Sequence, residues 1–222
     1  MGIDRERWDR ARREVLLYAH RMVAERLVNW TAGNVSCRIE GSDGLIAITP
    51  SAVPYDTMTT DDILIVTTGG ETIDGALRPT SELPLHTLAY QCRPDVGAVV
   101  HTHGSATMAM ASLGWPLPAF MPAIISWAGG SIPVTPYART GTSEMADAPL
   151  RVLEDRSACF LRSHGLLAIG VSLKYAYGAA SVVESAADTY LRARVHSEIS
   201  ELDSEEIERL RTVWKRRWDR PA

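Results

Sequence analysis

The sequence has few cysteines and no long apolar stretch. Its three cysteines, Cys37, Cys92 and Cys159, lie far apart, and none belongs to a Cys-x-x-Cys pair. This pattern argues against a disulfide framework and a thiolate metal site, and it fits the reducing cytoplasm. No unbroken run of about 18 apolar residues occurs, because Gly114-Trp-Pro-Leu-Pro118 interrupts the apolar region after Ser105. The first residues are too charged for a signal peptide. We therefore expect neither a membrane span nor export.

Lysine is also scarce, and the charge balance is negative. The only two lysines are Lys174 and Lys215, and the formal net charge is −4. Without a global positive field, nucleic acid and anionic membranes are not expected partners. Hydrophobic residues make up 45% and charged residues 23%, as in ordinary globular proteins. With no linker or internal repeat, we predict one domain over residues 1–222.

Hydrophobic periodicity predicts interleaved helices and strands. Apolar residues at three- and four-residue spacing predict an amphipathic helix that begins near Trp8 and ends near Asn29. Ser81 is a suitable N-cap for a second helix. Tight turns join several neighbouring strands, so a mixed, mostly antiparallel sheet layered with helices is favoured over a doubly wound parallel sheet. The predicted strands are 34–39, 45–49, 63–66, 97–103, 132–134, 158–162 and 166–169, and the later helices are 81–92, 105–113, 142–153, 172–196 and 204–218.

Three histidines stand at the ends of predicted strands. Alternate residues of a strand face the same way, so His101 and His103 should point in one direction. Two such imidazoles can share a metal, although strand-end histidines bonded to backbone and water are an alternative. His164, directly before Gly165, would supply a third ligand, and three protein ligands with an open position are typical of catalytic zinc. Nitrogen ligands suit zinc, with manganese, cobalt and iron as alternatives.

Loops of small and hydroxyl residues suggest a site for phosphate. Thr80-Ser81 precedes a helix whose N-terminus offers N–H groups to an anion, and Glu82 follows. A carboxylate in the first turn is also explained by the helix dipole alone. Gly33-Asn34 and Pro50-Ser51-Ala52 are two further loops of this kind. Each is an ordinary turn by itself, but together they suggest a phosphate cradle of hydroxyls and backbone amides without lysine.

Six motifs occur together in the order and spacing of a known family. From about residue 10 to 195 the chain resembles the zinc-dependent class II aldolase/adducin family, in its pattern most of all the fuculose-phosphate aldolases. The motifs are Ala32–Ser36, Ile48–Ser51, Thr80–His86, Arg93–His103, Ile132–Tyr137 and Ser163–Leu167.

The resemblance implies roles for individual residues. His101, His103 and His164 would hold one Zn²⁺ per subunit, with Glu82 at the metal as the catalytic acid/base. The family's fold implies α/β/α layers around the sheet and a C4 homotetramer whose active sites lie between neighbours. The residues implied to hold the substrate phosphate are Gly33, Asn34, Ser51, Ala52, Thr80 and Ser81.

The implied reaction is cleavage of a phosphorylated sugar. The substrate would be a deoxyketose 1-phosphate, such as L-fuculose 1-phosphate or 5-deoxyribulose 1-phosphate, and the products dihydroxyacetone phosphate and an aldehyde. A metal chelated by neighbouring oxygens spreads the resulting carbanion charge as an enediolate, and Glu82 would protonate it. This scheme needs no Schiff-base lysine.

Two residues depart from the family pattern. Pro122 stands where fuculose-phosphate aldolases carry a tyrosine that donates a proton at the aldehyde oxygen, and Ala52 replaces a glycine. Tyr137 is the nearest aligned phenol, with a structural role favoured for it. If a positive φ is required at position 52, the alanine would tighten the phosphate loop.

Other activities on the same fold remain alternatives. Pentulose-phosphate 4-epimerases typically carry Asp in place of Glu82 and Lys in place of Thr49, which argues against epimerisation. Methylthioribulose-1-phosphate dehydratases and sugar-acid phosphate decarboxylases share the metal ligands. An adducin-like binding module is the non-enzymatic alternative. The basic segment 209–218 is either a solvated helix end or a tail that reaches a neighbour's site.

Overall fold

Seven strands form one sheet in the computed structural model, which describes residues 2–219. Met1 and residues 220–222 of the predicted domain lie outside the described residues. The strand order is β4-β3-β2-β1-β5-β7-β6, and each neighbouring pair is antiparallel. The strands are β1 Asn34–Arg38, β2 Leu45–Ile48, β3 Leu64–Thr67, β4 Thr72–Asp74, β5 Ala98–Thr102, β6 Ala158–Leu161 and β7 Gly165–Gly170.

Helices cover both faces of the sheet, which confirms the predicted α/β/α fold class. One face packs on α1, α3, α4 and α6, and the other on α2 and α5. Among residues 2–219, none of the helices combines the length and apolar character needed to cross a bilayer. The helices are α1 Gly2–Ala24, α2 Leu83–Cys92, α3 Ser105–Leu113, α4 Pro122–Ala128, α5 Ser143–Leu153, α6 Leu173–Arg194 and α7 Ser204–Trp218, with a 3-10 turn at Thr60–Asp62.

The central strands are apolar on both faces because both faces are covered. In β5, Val99 belongs to the core under α2 and α5, whereas Val100 belongs to the core under α1 and α6. Successive strand residues point to opposite faces, so each neighbour faces a different helix layer. His101 follows in the same alternation and lies on the side of Val99, toward α2.

Two elements were not predicted. The apolar run before Gly129 has no clear period, yet it forms α4, which starts with Pro122 and ends where Gly129 takes a left-handed φ of 88°. Proline in the first turn and glycine just after the last are the usual start and stop signals. β4 is a three-residue edge strand within a turn-rich segment, and none of its residues is buried. Its lack of a buried face explains why no hydrophobic pattern marks it.

Several predicted boundaries were wrong. The segment 132–134 makes only isolated bridges, Leu117 to Ile132 and Val134 to Phe160. α1 ends at Ala24 rather than near Asn29, because Arg26 adopts a positive φ of 58°. α2 begins at Leu83, so Glu82 rather than Ser81 occupies the N-cap position.

The basic C-terminal segment packs on its own subunit. The Trp214 indole is buried and donates a hydrogen bond to the Ser157 hydroxyl at 2.9 Å. The Arg93 guanidinium lies 5.2 Å from the centre of a Trp218 ring. These contacts place the end of α7 near the start of β5, whereas His101 lies near the other end. Contact of this segment with a neighbour's site stays a prediction.

Gly97 offers a test of how tightly β5 and β7 are packed. Its N–H donates to Gly170 O at 2.9 Å, and a Cβ at this position would collide with the carbonyl oxygen of Val171. We expect Gly97→Ala to lower the free energy of unfolding by about 1–3 kcal/mol, measured by urea denaturation. In the control Gly69→Ala, the new Cβ would lie 3.4 Å from Thr67 Oγ1, an ordinary contact, so a change within about 0.5 kcal/mol is expected. Equal losses in the two variants would refute the steric argument.

Candidate metal centre and active site

Strand β5 fixes the first imidazole of the site. His101 is fully buried and lies directly across from Asn34 in β1 and Leu167 in β7. Its Nδ1 is 2.8 Å from the carbonyl oxygen of Leu166. Because a carbonyl only accepts hydrogen bonds, Nδ1 carries a proton, and Nε2 is the ring nitrogen that faces the other histidines. Such a backbone contact is a common way of orienting a metal-binding histidine.

The turn between β6 and β7 supplies another imidazole. His164 lies in this turn, where Ser163 takes a positive φ of 57° and the His164 N–H donates to Leu161 O at 2.9 Å. Gly165 then starts β7 against β5. A Cβ on Gly165 would lie 2.5 Å from Thr102 O and 3.0 Å from His103 Cδ2. The glycine therefore permits the close approach that brings His164 beside the β5 histidines.

The three imidazoles converge. The Nε2 atoms of His101 and His103 are 2.8 Å apart, and the candidate ligand nitrogens of His101, His103 and His164 all lie within 4.8 Å of one another. The ring centres are separated by 4.6–4.9 Å with the ring planes nearly perpendicular. The structure thus brings together the three histidines that the sequence singled out.

Glu82 closes the cluster from the start of α2. Its Oε2 lies 3.2 Å from His101 Nε2, and its Oε1 lies 3.2 Å from His164 Nε2. A carboxylate and imidazole lone pairs directed at one point repel each other unless a cation lies between them. Three nitrogen donors and one oxygen donor match the ligands of a four-coordinate divalent metal. The donor set therefore fits the metal that the sequence predicts.

The protonation states favour metal binding. Burial lowers the pKa of His103 to about 3 and also lowers the pKa of His164, so both rings are neutral near pH 7. Burial alone would raise the pKa of Glu82, but His101, the Asn34 hydrogen bond and His164 outweigh it and lower that pKa. Metal ligands must be deprotonated, and these groups already are.

The three predicted phosphate loops meet beside Glu82. Pro50 and Pro79 form an antiparallel bridge, and the Thr80 N–H donates to Thr49 O at 3.2 Å. This pairing brings Ser51 and Ala52 next to the segment 79–81. Gly33 packs against β5, where a Cβ would lie 2.6 Å from His101 O. The loops thus border the histidine cluster on the side of α2.

The Asn34 side chain joins the loops to Glu82. Its Nδ2 donates to Thr80 Oγ1 at 3.0 Å and to Glu82 Oε2 at 2.7 Å, and its Oδ1 lies 2.5 Å from His86 Nε2. Both amide hydrogens are therefore engaged within the protein. The phosphate-binding role of Asn34 stays a prediction, and its side chain connects the predicted acid/base to a predicted phosphate-binding hydroxyl.

Three other residues considered for the site are exposed to solvent. Pro122 is the exposed first residue of α4, where proline is favoured. Tyr137 is 71% exposed. His20 lies on the exposed side of α1.

Comparison with known proteins identifies the family. The family described as Class II Aldolase and Adducin N-terminal domain matches residues 13–191. The chain belongs to the class II aldolase/adducin family. It is 36% identical over 199 residues to 5-deoxy-D-ribulose 1-phosphate aldolase of Bacillus thuringiensis serovar kurstaki, covering 90% of this chain and 92% of the relative.

Further similarities lie within the same family. The chain is 40% identical over 178 residues to L-fuculose phosphate aldolase of Escherichia coli O157:H7, covering 80% of this chain and 81% of the relative. A solved structure of an L-fuculose 1-phosphate aldolase superposes with a TM-score of 0.87 at 32% identity, covering 92% of this chain and 96% of that one. These similarities support the resemblance on which the predicted site was based.

The polar residues behind Glu82 were not predicted as part of the site. His86, Ser36 and Tyr90 are buried and hydrogen-bonded in series from Asn34. Two regularities point to them in retrospect. His86 lies four residues after Glu82 on α2, and Ser36 lies two residues after Asn34 on the same face of β1. Each spacing puts both residues on one side of an element.

The left-handed conformation of Ala52 gives a stability prediction. Ala52 has a φ of 60° at the position where fuculose-phosphate aldolases carry glycine, as the sequence comparison anticipated. A non-glycine residue there costs about 1–2 kcal/mol, whereas glycine frees the unfolded chain by about 0.4–1 kcal/mol. We expect Ala52→Gly to raise the free energy of unfolding by up to about 1 kcal/mol. Ala76, also exposed in a loop but without a positive φ, is the control, and Ala76→Gly should lower stability. Destabilisation by both would contradict the strain argument.

Proposed function

We propose that this protein is a metal-dependent aldolase that cleaves a deoxyketose 1-phosphate to dihydroxyacetone phosphate and an aldehyde. L-fuculose 1-phosphate and 5-deoxyribulose 1-phosphate are the substrates we favour, since relatives are named for aldolases acting on these compounds. The observation that carries the proposal is the meeting of three imidazole nitrogens and one carboxylate beside loops rich in hydroxyl groups.

His101, His103 and His164 would hold one Zn²⁺ per subunit, with Glu82 as the neighbouring oxygen donor. Neutral nitrogen ligands and a four-donor set support zinc, and manganese, cobalt and iron suit the same ligands less specifically. When bound, such a cation supplies Lewis-acid polarisation of the substrate oxygens next to the bond that breaks.

Glu82 would transfer the proton to or from C3 of the substrate. As the C3–C4 bond of the ketose breaks, the C4 hydroxyl loses its proton to water and becomes the aldehyde oxygen, and Glu82 in its acid form donates a proton to the electron pair left on C3. In the direction of synthesis the carboxylate takes the same proton away. The lowered pKa of Glu82 suits the base role, and its two oxygens already face the point where the histidines converge.

The loops around Glu82 would hold the phosphate. Thr80 and Ser81 precede α2, and the bridge between Pro50 and Pro79 holds Ser51 and Ala52 alongside them. Gly33 and Asn34 complete the same side of the cluster. A phosphate bound by hydroxyls and backbone amides would orient the substrate carbonyl toward the histidines and leave the two lysines, Lys174 and Lys215, without a role.

We also propose a cytoplasmic homotetramer of C4 symmetry with its active sites near subunit interfaces. Large exposed apolar side chains support an assembly, among them Trp30, which is 78% exposed. Cys37, Cys92 and Cys159 are all free thiols, as a reducing compartment maintains them.

Release of dihydroxyacetone phosphate tests the aldolase proposal. We expect metal-loaded protein to release it from L-fuculose 1-phosphate or 5-deoxyribulose 1-phosphate, followed by a coupled glycerol-3-phosphate dehydrogenase assay. A chelator should abolish the release, and added Zn²⁺ should restore it, because charge develops on C3. Protein that holds one metal per chain yet releases nothing from either substrate would sink the proposal.

Replacement of Glu82 separates metal binding from proton transfer. Glu82→Gln keeps the side-chain shape but removes the acid/base, so kcat should fall about 10²–10⁴-fold. Metal content, measured by atomic emission, should remain near one per chain because the three histidines are intact. Normal turnover by Glu82→Gln would show that the proton is moved by another group.

A further inference from the structure

We propose that His86 is a positioning residue for the reaction, because it fixes the Asn34 amide that holds Glu82 and Thr80. The inference rests on the proposed function in treating Glu82 as the acid/base. His86 acts through Asn34. Its Nε2 bonds to Asn34 Oδ1, and the Asn34 amide donates to both Glu82 Oε2 and Thr80 Oγ1.

A continuous row of hydrogen bonds leads away from Glu82. Asn34 Nδ2 to Glu82 Oε2 is 2.7 Å, and His86 Nε2 to Asn34 Oδ1 is 2.5 Å. Ser36 Oγ then lies 2.6 Å from His86 Nδ1 and 2.8 Å from the Tyr90 hydroxyl. Four residues from β1 and α2 thus form one polar chain that ends at the carboxylate.

The chemistry of the groups sets one direction along this chain. The Glu82 carboxylate only accepts, so the Asn34 NH₂ group must face it and Oδ1 must face His86. His86 therefore carries its proton on Nε2 and accepts at Nδ1 from the Ser36 hydroxyl. Ser36 in turn accepts from the Tyr90 hydroxyl. Each donated hydrogen in this chain therefore has one acceptor, and one assignment of donors and acceptors satisfies all of the groups.

Burial makes this arrangement costly to change. Ser36 and His86 are fully buried, and Tyr90 and Asn34 are 2% and 3% exposed. If the Asn34 amide turned over, its oxygen would face the carboxylate and its nitrogen would face the His86 N–H. Two buried hydrogen bonds would then be replaced by two repulsive contacts, which a dry environment does not screen.

The far end of the chain is anchored to the sheet. Arg38 Nη2 donates to Tyr90 O at 2.6 Å, and its guanidinium lies 4.8 Å from the centre of the Tyr90 ring. Its Nε donates to Val96 O at 2.7 Å, next to the start of β5. The same rigid elements that carry His101 therefore also hold the groups behind Glu82.

Two isosteric replacements of His86 test the proposal. The amide nitrogen of Gln reaches the position of Nε2 and can still donate to Asn34, whereas that of Asn lies near Nδ1 and cannot. We expect His86→Asn to lower kcat about 10- to 100-fold, since misplaced catalytic groups cost this much. KM for the ketose phosphate should change far less, and His86→Gln should keep kcat within about threefold of the wild type.

Metal content and melting temperature, measured for both variants, control for folding. A merely structural role predicts that both variants lose stability equally and keep the wild-type kcat per metal-loaded site. That outcome, or equal loss of kcat in the Asn and Gln variants, would overturn the positioning role.

A second measurement does not depend on aldolase activity. Protein labelled with ¹⁵N-histidine should show the Nε2–H tautomer for His86 by long-range ¹H–¹⁵N NMR, with the resonance assigned by its absence in His86→Gln. An Nδ1–H tautomer would contradict the chain of hydrogen bonds even if the enzyme is active. If the tautomer is as expected but no ketose phosphate is cleaved, the proposed function fails while the geometry of the chain is upheld.

Discussion

The structure holds several electron-rich groups close together, and they repel one another. Three imidazole nitrogens and a carboxylate meet at the end of β5 beside the start of α2, and among residues 2–219 the side chains paired with this carboxylate are His101 and His164. A divalent cation at this point would relieve the repulsion, because it would bind the imidazole lone pairs and balance the carboxylate charge. The surrounding structure keeps the groups in place, through the Leu166 carbonyl behind His101 and the Asn34 amide behind Glu82.

The sheet brings these groups together from distant parts of the chain. The antiparallel order sets β1 and β7 on either side of β5, so Asn34 and Leu167 flank His101. Helix α2 packs on this face, and Glu82 is its N-cap residue. A site of this kind needs precise strand register, because a shift of one residue would turn His101 toward the opposite helix layer.

Much of this arrangement was predictable, but for different reasons in different parts. Alternation in β5 puts His101 and His103 on one face, and the order of six motifs points to His164, Glu82 and the loops. α4 has no hydrophobic period, and β4 has no buried side, so neither leaves a pattern in the sequence. The contact between Asn34 and His86 joins residues 52 positions apart. This contact depends on how α2 packs against β1, and the local spacing of residues in the sequence does not predict that packing.

The Gly165 contact has a consequence for folding. His101 belongs to β5 and His103 directly follows this strand, whereas His164 belongs to the turn that leads into β7, so an ion held by all three would cross-link two adjacent strands. Occupancy of the centre and integrity of the sheet are then thermodynamically linked, since a ligand that binds only the native chain stabilises it in proportion to the logarithm of its free concentration. The bound cation would thus stabilise the packing of the β6–β7 hairpin against β5 as well as take part in the reaction.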